Sequence, residues 1–162
     1  MKTLCHTAIT LGALILIFGC VPKNSDQLNH KQQDQIKKEI IEVFDSIMAR
    51  LERLDAEGAL QYYSPNFVAF GSDGNKLDFQ ALKKYYVDFY SSSTLYKWTS
   101  YNLNFIAINK ETVVIATDGK NECLLKSGEK IVFDPSHYTF AFEKFEGKWK
   151  LFYHHFSGTY LK

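Results

Sequence analysis

Three polar side chains alternate near the carboxyl end of the chain: Tyr153, His155 and Ser157. Residues two apart on a β-strand point to the same face of a sheet, so these groups would share one face. A phenol, an imidazole and a hydroxyl facing an apolar cavity could bind a small molecule or move its protons. The alternative is that internal hydrogen bonds satisfy Tyr153 and His155, which then only brace the sheet. We expect the neighbouring His154 on the outer face or at a dimer contact.

An aromatic stripe precedes this segment, in which Tyr138, Phe140 and Phe142 recur at every second residue. Such stripes usually form core, but the hydroxyl of a buried tyrosine needs a partner, which makes Tyr138 a candidate for the wall of a pocket. His137 suits a strand edge and a cavity equally well. The predicted ligand-binding residues are therefore Tyr138, Phe140, Tyr153, His155 and Ser157.

Asp118 follows the apolar run of residues 113–116. A carboxylate entering a dry cavity would have a raised pKa and could act as a general base. Asp118-Gly119 is equally a common turn or bulge dipeptide. The candidate catalytic residues are thus Tyr153, His155 and Asp118, and residue types alone do not separate an enzyme from a binding protein.

Other chemistries find no support in the sequence. His154 and His155 would point to opposite faces of one strand, so both cannot ligate one ion, and we predict no metal and no cofactor. There is no Cys-x-x-Cys, phosphate-binding glycine loop or nucleophile elbow. The chain has 19 Lys and Arg against 18 Asp and Glu, and a nearly neutral domain lacks the basic field that binds nucleic acid.

The first twenty residues resemble the signal of a bacterial lipoprotein. Lys2 precedes an apolar run over residues 8–18, which as a helix would rise only about 16 Å, too little to span a bilayer. The run ends Ile17-Phe18-Gly19-Cys20, similar to a lipobox, which implies cleavage before Cys20 and lipidation of its thiol. The alternatives are a plain signal peptide or an uncleaved anchor.

This reading divides the chain into a signal peptide at 1–19, a lipidated cysteine with its tether at 20–32, and a folded domain at 33–162. Val21 stands where an inner-membrane retention signal usually has Asp, so we predict a location in the cell envelope, on the periplasmic side of the outer membrane. Cys5 would leave with the signal, and Cys123 would remain as a buried thiol.

The folded domain must position the candidate residues on a sheet. Apolar residues at steps of three and four predict a helix over 33–54, and Asp55 and Asp78 are suitable caps for two further helices. A short strand is expected at 67–70. Turn residues divide the rest into four antiparallel strands, with a bulge at Asp134-Pro135; they run over 95–108, 112–125, 130–143 and 148–157. The predicted class is α+β, with three N-terminal helices packed on the concave face of a strongly curved antiparallel sheet, a cone-shaped α+β barrel of cystatin-like topology.

Residues 144–158, Lys-Phe-Glu-Gly-Lys-Trp-Lys-Leu-Phe-Tyr-His-His-Phe-Ser-Gly, resemble the closing hairpin of the nuclear transport factor 2-like superfamily, specifically of SnoaL-like domains. In that hairpin an acidic-Gly-x-Trp turn leads into a strand with a His-x-His-x-Ser pattern. Trp149, His155 and Ser157 fit the pattern, and Tyr153 takes the first histidine position. The resemblance spans roughly residues 33–158 and implies a cone with a pocket. It leaves function open, since the family includes isomerases, dehydratases, cyclases, binding domains and oligomerisation modules.

Many family members carry an arginine at the position of residues 137–140, and this chain has none there. A pocket in which an arginine binds a carboxylate is therefore not expected. We expect a lipid-anchored periplasmic domain that binds a small apolar or amphipathic molecule in an aromatic pocket. We also expect it to form a homodimer and not to bind nucleic acid. One alternative is an isomerase, dehydratase or cyclase-type enzyme, in which Tyr153 or Tyr138 donates a hydrogen bond and His155 or Asp118 moves a proton. Another is a non-catalytic homodimerisation module.

Overall fold

The computed structural model describes residues 28–71 and 74–161, with residues 100 and 101 described by their backbone alone. The predicted signal peptide, the lipidated Cys20 and most of the tether lie outside these residues. The first helix, α1, runs over His30–Glu52. It begins earlier than the apolar period suggested because Asn29 and Gln32 form a reciprocal capping box, with hydrogen bonds of 2.9 and 3.0 Å. Leu28, just before the cap, is already buried in the core.

Two shorter helices follow, α2 at Ala56–Leu60 and α3 at Phe79–Ser91. Both predicted caps are confirmed: Asp55 accepts a hydrogen bond from the Gly58 amide at 2.9 Å, and Asp78 accepts one from the Ala81 amide at 2.8 Å. The helix α2 ends at Leu60 because the next residues enter the sheet, where the Tyr62 carbonyl accepts a hydrogen bond from the Leu151 amide.

The sheet has six strands in the order β2-β1-β6-β5-β4-β3. The four-strand meander is confirmed, and the short strand expected at 67–70 is longer and has a partner, β2, that the sequence did not reveal. Among the strand pairs of the described residues, the β1–β6 pair alone is parallel. The sheet stays open, with β2 and β3 at its two edges. The strands are β1 Tyr63–Phe70, β2 Lys76–Asp78, β3 Ser93–Ile108, β4 Thr112–Leu125, β5 Lys130–Phe145 and β6 Lys148–Leu161.

Irregularities in β5 and β6 change which of their side chains face the helices. The predicted bulge at Asp134-Pro135 is present, since the register of β5 shifts between Phe133 and Ser136. A second bulge lies in β6, where Ala141 pairs with Tyr153 while the next residue of β5, Phe142, pairs with Leu151. Phe152 is the extra residue. One inserted residue reverses the alternation of side chains along a strand. In β6 the odd-numbered side chains therefore face the core before Phe152, and the even-numbered ones face it after Phe152.

The helices pack on the concave face of this curved sheet and close one half of it with apolar side chains. The fully enclosed residues include Ile40 and Ile47 of α1 together with Phe142 and Leu151 of the sheet. None of the helices within 28–71 and 74–161 combines the length and apolar character that a membrane span requires. The observed class is the predicted α+β arrangement, with an unclosed sheet.

Candidate functional site

The unfilled half of the concave face holds a cavity of about 490 Å³ between α3 and the far ends of the strands. This volume lies within the range of about 300–1,000 Å³ that is usual for small-molecule sites. Its walls are mainly aromatic and come from both layers of the fold. The rings include Tyr86, Phe89 and Tyr90 of α3, Tyr96 of β3, Tyr138 of β5 and Phe156 of β6.

A chain of polar groups crosses the cavity wall. The side-chain amide of buried Asn121 donates a hydrogen bond to the Tyr138 hydroxyl at 2.6 Å and accepts one from the Tyr96 hydroxyl at 3.4 Å. Burial and the neighbouring Tyr96 raise the pKa of Tyr138 well above its usual value. Burial likewise raises the pKa of Tyr96. Both phenols are therefore hydroxyl groups, not phenolates, at any physiological pH.

A second pair of phenols lies where α3 meets β1. The hydroxyls of Tyr63 and Tyr86 are 3.1 Å apart, and burial raises the pKa of Tyr86 to about 12. The Tyr86 ring in turn meets the Tyr90 ring edge-on, with centroids 5.4 Å apart. These contacts fix the position of α3, and with it the rings that form the wall of the cavity opposite the sheet.

His154 brings an imidazole to the cavity wall. Its ring meets Phe67 and Phe140 edge-on at centroid distances of 5.3 and 6.0 Å. Burial, and to a smaller extent the adjacent His155, lowers the pKa of His154 from 6.5 to about 4. The imidazole is therefore neutral at pH 7, and its Nδ1 atom is buried without a hydrogen-bond partner among the described residues.

The described part of the cavity wall carries no formal charge. Among the described residues that line it, none is Asp, Glu, Lys or Arg, and the polar groups are phenols, amides, the thiol of Cys123 and the imidazole. The thiol is buried, as predicted, and lies 3.2 Å from the Ser93 hydroxyl. Within the same described part of the chain, no cluster of three His, Cys, Asp or Glu side chains could hold a metal ion.

The predicted ligand-binding residues separate into two groups. Tyr138 lines the cavity, and Phe140 lies directly beneath it, buried and stacked on its ring at 5.3 Å. Tyr153, His155 and Ser157 are outside the lining, because the bulge at Phe152 turns them to the convex face of the sheet; their places on the cavity side are taken by His154 and Phe156. Whether any predicted residue binds a ligand stays a prediction.

Asp118 also points away from the cavity. It is paired across the strands with His137, and its carboxylate lies 2.6 Å from the His137 Nδ1 atom. Both side chains are about half exposed, at 49% and 53%. The only carboxylate that the sequence offered as a general base therefore faces solvent on the convex side, away from Tyr138.

Several cavity residues were missed by the sequence reasoning. Tyr86 and Tyr90 are four residues apart on α3, and this helical spacing was a usable signal, because it places both rings on the same face of the helix. His154 and Phe156 could not be found in this way, since a one-residue bulge leaves no trace in a hydrophobic pattern. Asn121 gave no signal, since it lies in a strand between two charged residues, Lys120 and Glu122.

Residues 40–161 match the sequence family described as the SnoaL-like domain. The chain belongs to this family. The match covers most of the chain and confirms the resemblance that the closing hairpin indicated. No curated protein sequence matches this SnoaL-like domain.

Solved structures share the fold at low sequence identity. A nuclear transport factor 2-like superfamily protein from Salmonella enterica is 14% identical, with a TM-score of 0.67 over 77% of this chain and 92% of that one. The association domain of CaMKII from C. elegans is 18% identical, with a TM-score of 0.62 over 77% and 97%. A protein from Novosphingobium aromaticivorans, provisionally assigned as a scytalone dehydratase, is 10% identical, with a TM-score of 0.71 over 80% and 88%. At these identities the likeness concerns the fold alone.

Proposed function

We propose that this SnoaL-like domain binds an uncharged small molecule, mostly apolar and ring-containing, in the aromatic cavity. The observation that carries the proposal is a cavity of ligand size whose lining has aromatic rings and hydrogen-bonding groups but no charged side chain among the described residues. A ligand carboxylate or ammonium would lose its hydration there without gaining an opposite charge, which is strongly unfavourable. Apolar rings gain from burial against the tyrosine and phenylalanine walls.

We also propose that the domain works at the cell envelope, attached through a lipid on Cys20. The support is the sequence of the first twenty residues, with its short apolar run and its lipobox-like end. The test is Cys20→Ala, with Cys5→Ala as the matched control. Loss of incorporated fatty acid in the Cys20 variant alone would support the anchor, whereas equal incorporation in both variants would contradict it.

Binding in the cavity is tested with two fluorescent probes that share one ring system. N-phenyl-1-naphthylamine is uncharged, and 8-anilino-1-naphthalenesulfonate carries a sulfonate. We expect the uncharged probe to bind at least about 10-fold more tightly, because no described residue of the cavity wall offers the sulfonate a cation. Equal affinity, or tighter binding of the sulfonate, would contradict an uncharged ligand.

A pair of adjacent substitutions locates the site. Ile131 lines the cavity, whereas the next residue, Val132, points to the convex face. Ile131→Trp should fill the cavity and abolish binding of the naphthylamine probe, and Val132→Trp should leave it unchanged. Binding that survives in a folded Ile131→Trp protein would place the site elsewhere.

An acid-base enzyme is the second candidate, and one observation favours it. The neutral imidazole of His154, with its unpartnered Nδ1, and the phenol of Tyr138 lie on the wall of the same cavity. Together they could remove a proton beside a carbonyl and stabilise the resulting oxyanion. Exchange of the α-protons of 2-tetralone for deuterium in D₂O, followed by NMR, tests this chemistry. Exchange that disappears in His154→Gln would support an enzyme, and no exchange above background would reject this version.

A homodimer, formed through the convex face of the sheet, remains part of the proposal. In this arrangement the cavity and the dimer contact use opposite faces, so binding and assembly need not compete. Sedimentation at micromolar concentration tests it, and a monomer at that concentration would contradict it. Where the protein is a dimer but the cavity binds neither probe, the oligomerisation module becomes the better account.

A further inference from the structure

Asn121 lies between two tyrosine hydroxyls in the cavity wall. Its Oδ1 atom accepts a hydrogen bond from Tyr96 at 3.4 Å, and its Nδ2 atom donates one to Tyr138 at 2.6 Å. A side-chain amide has an acceptor end and a donor end, so the two hydroxyls on either side of it cannot be used in the same way. The proton of Tyr96 is directed to the amide, while Tyr138 contributes only an oxygen lone pair.

The proton of Tyr138 is thereby left for another acceptor. Among the described residues, the hydroxyl has no hydrogen bond other than the one it accepts from Asn121. The group lines the cavity together with Asn121, so an acceptor on a bound molecule could reach it. A hydroxyl donor that stays unpaired after a ligand displaces water is unfavourable, and this penalises ligands without an acceptor atom.

The ring that carries this hydroxyl is held on three sides. It stacks on Phe140 with centroids 5.3 Å apart and planes within 3°, contacts Phe156 at 4.8 Å and meets the edge of Trp98 at 4.9 Å. These rings leave the phenol little rotational freedom. The hydrogen-bond donor is therefore preorganised at one position on the wall of an otherwise apolar cavity.

We propose that Tyr138 is the specificity-determining residue of the cavity, and that its hydroxyl, oriented by Asn121, donates a hydrogen bond to a carbonyl oxygen of an uncharged ring-containing ligand. The proposal rests on the proposed binding function and deepens it by naming the chemical class of the ligand. Asn121 acts through Tyr138 and is a positioning residue. A ring hydrocarbon of the same shape would fit the cavity but leave the Tyr138 proton without a partner.

The test compares 2-acetylnaphthalene, which has the carbonyl, with 2-ethylnaphthalene, which has the same shape without it. Both are measured by displacement of N-phenyl-1-naphthylamine from the wild-type protein and from Tyr138→Phe. We expect Tyr138→Phe to lower the affinity for the ketone by about 3- to 10-fold, which is the effect of one neutral hydrogen bond. The affinity for the hydrocarbon should stay unchanged. An equal effect on the two compounds, or none on either, would overturn the proposal.

Three further variants separate orientation from simple packing. Tyr153→Phe is the matched control, because it removes a phenol hydroxyl outside the cavity and should not change the ratio of the two affinities. Asn121→Asp replaces the amide donor by an acceptor that turns the Tyr138 proton away from the ligand, so it should lower the ratio as Tyr138→Phe does. If Tyr96→Phe alone loses the ketone preference, the donor is Tyr96 and the assignment to Tyr138 is wrong. If the naphthylamine probe does not bind the wild-type protein at all, the proposed function itself fails.

Discussion

The two faces of the sheet carry the same kinds of side chain at β5 and β6 but place them in opposite environments. On the concave face, Tyr138 and His154 lie against aromatic rings, and the imidazole is neutral with a pKa of about 4. On the convex face, His137 is about half exposed and paired with the carboxylate of Asp118. His155, the direct neighbour of His154, is exposed.

The difference shows that residue type is a weak guide to function without knowledge of the face. A histidine beside a carboxylate looks like catalytic machinery, yet here that pair faces water, where a surface ion pair contributes little. The groups positioned to meet a ligand are the less conspicuous ones, an asparagine, a tyrosine and a histidine with no acidic partner among the described residues. Enclosure by rings, not the presence of charge, distinguishes the candidate site.

The largest expected difference between the faces is in packing. Phe142 is fully buried on the concave face, while Ile106 of β3 is 65% exposed. We expect Phe142→Ala to lower the free energy of unfolding by about 3–5 kcal/mol, because it removes buried apolar surface and leaves a cavity. The matched change Ile106→Ala should cost no more than about 0.5 kcal/mol. Urea denaturation measures both, and similar losses for the two variants would contradict the enclosure of Phe142 on the concave face.

The next effect concerns pH. In the unfolded chain the His154 imidazole takes up a proton near pH 6.5, but in the folded protein only near pH 4. Between these values the unfolded state binds more protons, so stability decreases as the pH falls from about 6.5 to about 4. The decrease attributable to this histidine reaches at most about 3 kcal/mol.

The comparison of His154→Gln with His155→Gln isolates this contribution. Other groups also titrate in the window, but they are common to all the proteins. Urea denaturation at pH 7.5, 5.5 and 4.5 should show a flatter pH dependence for His154→Gln and a nearly unchanged one for His155→Gln, since burial is the larger cause of the shift. Equal slopes for the two variants would mean that His154 is not enclosed.

The smallest expected effect is on the convex face. Asp118→Asn removes the charge that faces His137, and we expect the free energy of unfolding to change by less than about 0.5 kcal/mol because both side chains are about half exposed. Binding of N-phenyl-1-naphthylamine should not change. A loss of probe binding would show that Asp118 acts on the cavity, contrary to the proposed division between the faces.

Much of the fold follows from local signals in the sequence. Asp55 and Asp78 begin their helices as caps, the turns between the four long strands are where polar and glycine residues cluster, and Pro135 interrupts β5 as a residue without an amide proton must. These features depend on a few neighbouring residues. The start of α1 was misplaced because the Asn29 cap lies outside the apolar period that defined the helix.

The candidate site was only partly predictable, for one physical reason. Tyr138 and Phe140 lie before the β6 bulge in the chain and keep the alternation that the sequence implies, so their inward position could be found. In β6 the extra residue at Phe152 reverses that alternation. A β-bulge sets two residues of one strand opposite one residue of its partner, so it is seen in the pairing of the two strands and not in the hydrophobic pattern of one.

The most direct test of the account is native mass spectrometry of the purified protein before and after unfolding. We predict that the folded protein retains a small uncharged organic molecule, released on denaturation, and that Ile131→Trp lacks it while Val132→Trp keeps it. The same retained molecule in both variants would place binding outside the cavity. A wild-type protein that carries no molecule and takes up no N-phenyl-1-naphthylamine would contradict the central claim that the aromatic cavity is a binding site.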